Sequence, residues 1–508
     1  MNSTASPVTA GETAAEETTA PAATETELPA GDRNATFVFG YTTPVDNLDP
    51  VKATSSFSYL YFNPLYDSLI TRGPDGALSP GIAEEWELSE DGATFTLQLA
   101  GDRTFHDGTP IDAAAVIANL ERVRDDPEST IADLDNVTDI TADGDTVVLT
   151  VERQGGRLPA ILSDRAGMMI APSTFGTDAV DLQPIGSGPF TLDSFQDVEV
   201  TYSRWDGYHD VDAIGPARLD IRALSDDNTR ISALISGQLD AALIRSAQVQ
   251  QVESGGLAIE RAARNFVYSL SLNTTHPALA ESDVRKAISH AIDRDGINAA
   301  AYAGDCPPSV QPYPVGFWAN NPDVTMEEFG SFDLGRAREL LSRAGYPDGF
   351  DVQIGAPNIS TYTQLLEIVQ GQLGEAGIRV TPVVQESAQF AAEVSDGLHE
   401  AWIGPVETGR PDVLTFWQSA YLPGGAGNPG DYSPPGFVDL FDQAAETADV
   451  DEQAPIIHDM VASALDNGAR VITVCAPDLI FGVAQNVQGV EIPIDGNYSF
   501  RGVTKAAG

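Results

Sequence analysis

The residues of this sequence best suited to chemistry are aromatic and charged side chains gathered in one stretch, 401–432. They are Trp402, Glu407, Arg410, Asp412, Trp417 and Tyr421. Flat aromatic faces stack on peptide side chains and on sugar rings, whereas charged groups fix the ends of a polar solute. We therefore expect this stretch to bind a small molecule; for each acid the alternative is a solvated loop charge.

The remaining reactive residues do not have the spacing of a catalytic or metal centre. His106 and Asp107 resemble an acid–base pair, but no two of the six histidines lie three or four residues apart, as a local metal frame requires. The segment Gly-Ser-Gly-Pro at 186–189 lacks the strand–turn–helix context of a hydrolase nucleophile and a Walker lysine. We expect no metal, no cofactor and no enzymatic activity. A secreted hydrolase that uses two carboxylates is the alternative from a different class.

The net charge limits the classes of partner. The 508 residues include 75 acids and 27 bases, which leaves a formal charge of −48. Nucleic acids and anionic bilayers are recognised by clustered basic residues, so neither is expected as a partner. A cleft in so acidic a protein should favour neutral or cationic ligands, unless Arg410 and its neighbours reverse the local field. The length corresponds to about three domains.

The elements that must position these residues alternate between strands and helices. Apolar spacing predicts a helix over 55–70, a helix capped by Thr109, and a helix over 282–302. Long apolar strands are predicted at 265–275 and 469–483. The alternation of strands and helices between them indicates an α/β fold with a partly parallel sheet covered by helices.

Residues 1–34 differ from the rest of the chain in composition. They are mostly Thr, Ala, Glu, Pro, Ser and Gly, and they contain no aromatic residue. Such a segment buries too little apolar surface to offset its ordering entropy, so we expect a disordered acidic tether. It lacks the basic and apolar regions of a signal peptide, and we expect that a targeting segment was removed upstream of Met1.

Five blocks further along carry motifs in a recognisable order. They are 66–123 with Tyr66-Asp67 and Phe105-His106-Asp107-Gly108-Thr109-Pro110, PIGSGPFTL at 184–192, Ser236-Gly237 with Asp240, 270–297 with Asn273 and Ala291-Ile292-Asp293-Arg294, and ARELLSRAGYPDGF at 337–350. Together they resemble the family 5 extracellular solute-binding proteins, the receptors of ABC importers of the oligopeptide, dipeptide and nickel type.

The resemblance implies a two-lobed clamshell of the periplasmic-binding-protein type II, in the large class with an extra subdomain. The first lobe would comprise 35–55, 184–265 and 477–508, with 56–183 as its inserted subdomain. The second lobe would comprise 266–476. The chain would cross between the lobes near the two long apolar strands, and closure about this hinge would trap a ligand.

The resemblance also implies residues that face the ligand from the first lobe and the hinge, with packing as the alternative for each. They are Tyr41, Phe57, Ser58, Tyr59, Tyr268 and Asn273. In relatives that take peptides, an Asp shortly after the Trp pairs with the α-amino group of the peptide. Here Pro405 and Val406 stand near that place, so Glu407 or Asp412 is the expected replacement.

The chain has two cysteines, Cys306 and Cys475. An exported location permits one disulfide between them, which on this mapping would tie the base of the second lobe near the hinge. Two buried free thiols are the alternative.

The function implied is that of an extracytoplasmic receptor that captures a small solute, with a peptide as the expected ligand, and delivers it to the membrane permease of an ABC importer. The full-length form would be lipid-anchored and the protein monomeric. A receptor for an oligosaccharide or a metal chelate is an alternative. So is a surface signalling or chaperone-like receptor with no transport role.

Overall fold

Three β-sheets of four or more strands organise the residues that the computed structural model describes, 31–53, 56–196, 198–406 and 410–506. The strands are β1 (Thr36–Tyr41), β2 (Ile70–Arg72), β3 (Leu78–Pro80), β4 (Ala83–Leu88), β5 (Thr94–Leu99), β6 (Val137–Asp143), β7 (Thr146–Val151), β8 (Phe190–Gln196), β9 (Glu199–Arg204), β10 (Arg218–Ala223), β11 (Ala241–Ile244), β12 (Ala258–Ala262), β13 (Val267–Leu272), β14 (Asp351–Pro357), β15 (Arg379–Gln385), β16 (Ala401–Val406), β17 (Val471–Cys475), β18 (Leu479–Val483), β19 (Val487–Gln488) and β20 (Thr504–Lys505).

The α-helices are α1 (Tyr59–Phe62), α2 (Ala113–Asp125), α3 (Leu158–Leu162), α4 (Ala179–Leu182), α5 (Asp227–Ile235), α6 (Val249–Ser254), α7 (Ser282–Ala291), α8 (Arg294–Ala301), α9 (Met326–Phe329), α10 (Leu334–Arg343), α11 (Ser360–Ala376), α12 (Ser387–Ser395), α13 (Leu414–Tyr421), α14 (Phe437–Glu446) and α15 (Val450–Asp466). Within the described ranges, every helix is too short or too polar to cross a bilayer.

The first large sheet has seven strands in the order β12-β18-β11-β1-β10-β9-β8. Strand β1 pairs in parallel with both β10 and β11, so the carboxyl ends of these three strands lie at one edge. Phe37 and Phe39 of β1 are fully buried and pack against Phe500 near the end of the chain. Tyr41, the last residue of β1, and Arg245, which directly follows β11, lie at this open edge. We call this sheet with its helices the seven-stranded lobe.

The second sheet has five strands in the order β15-β14-β16-β13-β17. Strand β14 runs parallel to β15 and β16, whereas β13 runs antiparallel to β16 and β17. The carboxyl ends of β14 to β17 and the amino end of β13 therefore share one edge. Leu270 and Leu272 of β13 point into a core formed with α7, α10 and α11. We call this unit the five-stranded lobe.

The chain crosses between these lobes at 263–266, from β12 to β13, and at 476–478, from β17 to β18. Strand β18 inserts between β11 and β12, and all five of its residues are buried. The end of the chain thus returns to the lobe in which the described residues begin. Two α/β lobes joined by two adjacent crossings have the layout of a clamshell.

The third sheet, β4-β5-β7-β6, is antiparallel and packs with α2 and α3 around its own core. Phe95, Leu97, Val116 and Leu149 are fully buried there. Its strands lie within the range 56–183 expected for an inserted subdomain. The ends of that range, like the other domain boundaries, remain a prediction.

Two of the helices predicted from the sequence differ in extent. The helix expected over 55–70 is only α1, because Pro64 has no backbone N–H with which to continue the helical hydrogen bonds. The helix expected to begin at Thr109 begins at Ala113. Its N-cap is Asp112, whose carboxylate accepts the backbone N–H of Ala115 at 2.9 Å.

The single helix expected over 282–302 is two helices, α7 and α8. The break falls at Ile292 and Asp293, where the carboxylate of Asp293 accepts the backbone N–H of Gly296 at 2.9 Å. This side chain caps a new helix instead of continuing the old one, because an Asp at that position satisfies an amide that the first turn leaves unpaired.

A disulfide joins Cys306, in the loop after α8, to Cys475 at the end of β17. Beside it the backbone N–H of Asp478 donates to the carbonyl of Asp305 at 3.0 Å. The loop after α8 is thereby fastened along the second crossing between the lobes. The two cysteines are not free thiols in this structure.

Replacing both cysteines by serine should lower the free energy of unfolding by about 2–5 kcal/mol. The reason is that the bridge closes a sequence separation of 169 residues and restricts the unfolded chain. Urea denaturation followed by tryptophan fluorescence, with and without reductant, measures this loss. Reductant should move the wild-type curve onto that of the double variant and leave the variant unchanged. A wild-type midpoint that does not respond to complete reduction would contradict the prediction.

Candidate ligand-binding site between the lobes

The open edge of the seven-stranded sheet presents two of the aromatic residues expected to bind ligand. Tyr41 is the last residue of β1, and the alternation of side chains along a strand places its ring on the same face as that of Phe39. The ring of Phe57 meets that of Tyr41 edge-on, with centroids 6.2 Å apart, and Phe57 is 45% exposed. We call Tyr41 and Phe57 the apolar wall.

Ser58 and Tyr59, which follow Phe57 in sequence, are buried. The guanidinium of Arg165 lies over the ring of Tyr59, 5.9 Å from its centroid. Burial, together with the charge of Asp164, raises the pKa of Tyr59 well above its usual range, so its hydroxyl stays protonated. These two residues pack beneath the apolar wall and do not extend it.

Three tyrosines meet where the five-stranded sheet approaches the first crossing. Tyr268 of β13 stacks on Tyr302, which follows α8, with ring centroids 5.3 Å apart. Tyr268 also meets Tyr362 of α11 edge-on at 5.7 Å. All three are half-buried, so part of each ring remains accessible. We call Tyr268, Tyr302 and Tyr362 the tyrosine cluster.

Two arginines, one in the crossing and one in the seven-stranded lobe, affect the pKa of Tyr268 in this cluster. Burial raises the pKa of the Tyr268 hydroxyl, and the positive charges of Arg264 and Arg245 act in the opposite direction. Arg245 directly follows β11 and its Nε donates to Asp227 at 2.8 Å. Arg264 belongs to the crossing itself. The cluster therefore lies where both lobes contribute side chains.

Asn273 and Trp402 lie away from this edge. Asn273 follows the far end of β13, about 16 Å along the strand from Tyr268, and its Nδ2 donates to the carbonyl of His399 at 2.9 Å. Trp402 is the second residue of β16, beside that same end, and the guanidinium of Arg470 covers its ring at 5.6 Å. Strand direction thus puts these two residues at the edge of the sheet opposite to Tyr268, and the structure does not bring them together with the other candidate residues.

Trp417 and Tyr421 of α13 form part of a hydrophobic core. They are 1% and 2% exposed, and their ring centroids are 5.2 Å apart. Both pack against Phe437 of α14, at 5.5 and 5.4 Å. In this structure they offer a ligand no surface, and they instead support the loop that precedes α13.

Asp412, one of the two acids expected to bind an amino group, is fully engaged with protein. Its Oδ2 accepts from Arg157 Nη2 at 2.6 Å and from Arg157 Nε at 2.9 Å. It also accepts from Thr415 Oγ1 at 3.0 Å, while Oδ1 accepts the backbone N–H of Leu414 at 3.1 Å. Both charged side chains are at least nine-tenths buried. The pair joins the subdomain region around α3 to the five-stranded lobe.

Arg410 lies beside this pair, on the loop after β16. Its Nη1 is 3.6 Å from Asp133 Oδ2. Burial raises the pKa of Asp133 above its usual range, and the charge of Arg410 opposes that effect. Glu407, the other candidate for an amino-group anchor, falls outside the described residues.

Sequence reasoning missed several residues of this region. Arg157, Asp133, Arg264, Tyr302 and Tyr362 stand in no recognised motif, and all of them except Arg264 are distant in sequence from the residues they meet. The one signal available was the proximity of Arg264 to the predicted hinge strand. Long-range charge pairing and aromatic stacking leave no local pattern to find.

His106 has a structural role. The backbone N–H of Gly186 donates to its Nδ1 at 3.3 Å, so its Nε2 carries the hydrogen and donates to the carbonyl of Gly188 at 3.0 Å. The ring thus holds the turn 186–189 in place. Within the described residues, His, Cys, Asp and Glu side chains form no group of three that could hold a metal ion.

Two cavities of about 280 and 230 Å³ lie in the five-stranded lobe. The first lies beside Asp295 and Phe332, and the second beside Arg285 and His290. Neither is lined by the apolar wall, the tyrosine cluster or Arg410. We take as the candidate site the region between the lobes where Arg245 and Arg264 affect the pKa of Tyr268.

Comparison with known proteins shows which family the sequence of this chain matches. A sequence model of the bacterial extracellular solute-binding proteins, family 5 (middle region), matches residues 77–428. The glutathione-binding protein GsiB of Pectobacterium atrosepticum is 29% identical over 389 residues, which are 74% of this chain and 73% of that protein.

Two solved structures have the same architecture. The periplasmic binding protein DppA from Helicobacter pylori, in complex with the peptide STSA, gives a TM-score of 0.80 at 21% identity, covering 94% of this chain and 99% of that one. NikA from Staphylococcus aureus, in complex with Ni(L-His)2, gives a TM-score of 0.75 at 19% identity, covering 92% and 99%. These likenesses confirm the predicted α/β clamshell fold.

The substitution Asp412→Asn should destabilise the protein by about 3–5 kcal/mol, because it leaves the buried charge of Arg157 unpaired. The double variant Arg157→Met/Asp412→Leu should recover more than half of this loss, since neither charge then remains. Urea unfolding of the variants measures both effects. As a control, Asp283→Asn removes the partner of the exposed Arg343 and should cost about 1 kcal/mol or less. Similar losses for the two single substitutions would contradict the prediction.

A second prediction concerns pH. Burial lowers the pKa of His106 in the folded protein below its usual range. The stability that neutral His106 contributes is complete above the unfolded pKa of about 6.5 and is lost as the pH falls through and below that value. His106→Gln should therefore make the fall in unfolding free energy between about pH 7 and pH 5 shallower than in the wild type. Parallel curves for the two proteins, from urea unfolding at each pH, would rule this out.

Proposed function

Since the chain belongs to family 5 of the bacterial extracellular solute-binding proteins, we propose that its ligand is a small peptide, bound between the two lobes. The chain is a substrate-binding receptor of an ABC importer, which acts outside the cytoplasm and works with a membrane permease. The peptide, the residues that bind it and the mode of closure are the parts that we propose.

The observation that carries the proposal is the pairing of aromatic and cationic groups across the first crossing. The tyrosine cluster supplies half-buried aromatic side chains, Arg264 supplies a charge from the crossing, and Arg245 supplies one from the seven-stranded lobe. A peptide offers both apolar side chains for the rings and charged or polar backbone ends for the arginines. A relative named as a glutathione-binding protein and a neighbour in complex with a peptide support this ligand class.

The proposed site comprises the apolar wall, Tyr268 and Arg410, with Glu407 as the candidate partner of the peptide's amino group. Asp412 is excluded from that role because Arg157 and the first turn of α13 occupy both of its oxygens. We propose that the domain division 35–55 with 184–265 and 477–508, 56–183, and 266–476 describes the units that move.

Closure of the clamshell is proposed to bring the apolar wall and the tyrosine cluster onto one ligand. The ion pairs Arg157–Asp412 and Arg410–Asp133 link the region 133–165 to the five-stranded lobe. They supply attractive contacts that hold the closed arrangement and that do not depend on the ligand. We further propose that the receptor is monomeric, binds without turning its ligand over, and is lipid-anchored in its full-length form.

Native mass spectrometry of the protein as purified tests the ligand class. A heterogeneous set of co-purified peptides is expected. Isothermal titration with the identified peptides should show that Tyr268→Ala binds them about fivefold more weakly than the wild type. The substitution removes an aromatic contact that contributes roughly 1 kcal/mol to the binding free energy. Trp417→Phe, a substitution within the core, serves as the control and should bind unchanged. A single bound sugar or metal chelate, or hydrolysis of the peptides, would overturn the proposal.

A further inference from the structure

Arg264 differs from the other arginines in the way its guanidinium is partnered. Among the described residues, every other arginine side chain donates a hydrogen bond or forms an ion pair. The Arg264 guanidinium does neither within those residues, and its Nε is buried without an acceptor. In a chain with 75 acids and 27 bases this is unexpected, because carboxylates are abundant. A buried donor without a partner costs free energy unless a further molecule supplies the acceptor.

The position of Arg264 is fixed by its neighbours. It lies in the first crossing, two residues after β12, and its guanidinium carbon is 4.0 Å from the centroid of the Phe266 ring. On another side it approaches Gly496, where a Cβ would come 3.6 Å from Arg264 Cδ. The stacking on an aromatic ring keeps the planar guanidinium in one orientation.

Two further polar atoms without partners lie at the same crossing and at the tyrosine cluster. Asn265, next to Arg264, is 4% exposed and its Oδ1 is buried without a donor. The hydroxyl of Tyr302 is also buried without a partner. The region thus combines a donor with full positive charge, an acceptor and a hydroxyl. A guanidinium can donate to a carboxylate and an amide oxygen can accept from a peptide N–H, and the carboxyl end of a peptide offers both groups.

The other charges at the crossings are already paired. Asp305 accepts from Arg261 at 2.6 Å, and Arg245 donates to Asp227. Burial and the charge of Asp305 raise the pKa of Asp478, and the charge of Arg261 acts in the opposite direction. Arg264 is consequently left with a charge that no neighbouring carboxylate neutralises.

We propose that Arg264 binds the carboxylate of the ligand and makes this receptor selective for peptides with a free carboxyl end. The inference deepens the proposed function and rests on it. It also reverses the expectation, drawn from the net charge of −48, that the cleft favours neutral or cationic ligands. The net charge of a protein surface affects how fast a charged ligand approaches it, whereas the groups that contact the bound ligand determine which ligand is preferred.

The test uses one equimolar mixture of tripeptides prepared in two forms, as free acids and as carboxyl-terminal amides. Each form is titrated against the full chain, and the two affinities are compared. The wild type should bind the free acids roughly 10- to 100-fold more tightly, the range for a charge-assisted hydrogen bond. Arg264→Gln should abolish this preference and bind the amides as the wild type does. Arg264→Lys should keep part of the preference, because it keeps the charge and loses the planar fork.

The matched control is Arg261→Gln, which changes the neighbouring arginine paired with Asp305 and should leave the preference intact. Circular dichroism and the melting temperature establish that each variant is folded. If acids and amides bind the wild type equally, or if Arg264→Gln retains the preference, the inference is overturned while the peptide proposal stands. If neither form binds, the proposed function itself fails, and the inference fails with it.

Discussion

The position of β18 in the seven-stranded sheet is the constraint on which the rest of the structure depends. This strand is buried throughout and pairs with β11 on one side and β12 on the other. It follows β17 of the other sheet after only three residues, so the chain has to return to the lobe it left. The proposed closure of the lobes would be a bending about these two adjacent crossings.

Several carboxylates of this chain form ion pairs with arginines at the places where its structural units meet. Asp412 is neutralised by Arg157 where the subdomain region meets the five-stranded lobe, and Asp305 by Arg261 beside the crossings. Each such pair commits a cation to a structural contact. The net charge of −48 therefore says little about the field at a particular place, because the field near a ligand depends on which arginine has been left unpaired.

Much of the fold could be predicted from the sequence, and the candidate site only in part. The apolar runs at 265–275 and 469–483 predict one strand each at the crossings; the first is β13, whereas the second is two strands, β17 and β18, in different sheets. Single-helix expectations failed where a local side chain decided the boundary, as at Asp293, whose carboxylate caps a new helix. Trp417 shows why the site residues could be predicted only in part. A tryptophan side chain suits a binding surface as well as a core, and only the packing in the folded protein distinguishes the two.

The sequence by itself determined the α/β class, the family and the acidity, because these depend on composition and on motifs whose residues lie close together in the chain. Only the tertiary structure decided which aromatic rings remain accessible and which charges are paired. The Arg157–Asp412 pair joins residues 255 positions apart, and the tyrosine cluster collects one side chain from each of three segments. Contacts of this kind arise when strands and helices pack. Their partners are chosen by strand direction and register, which no local stretch of sequence contains.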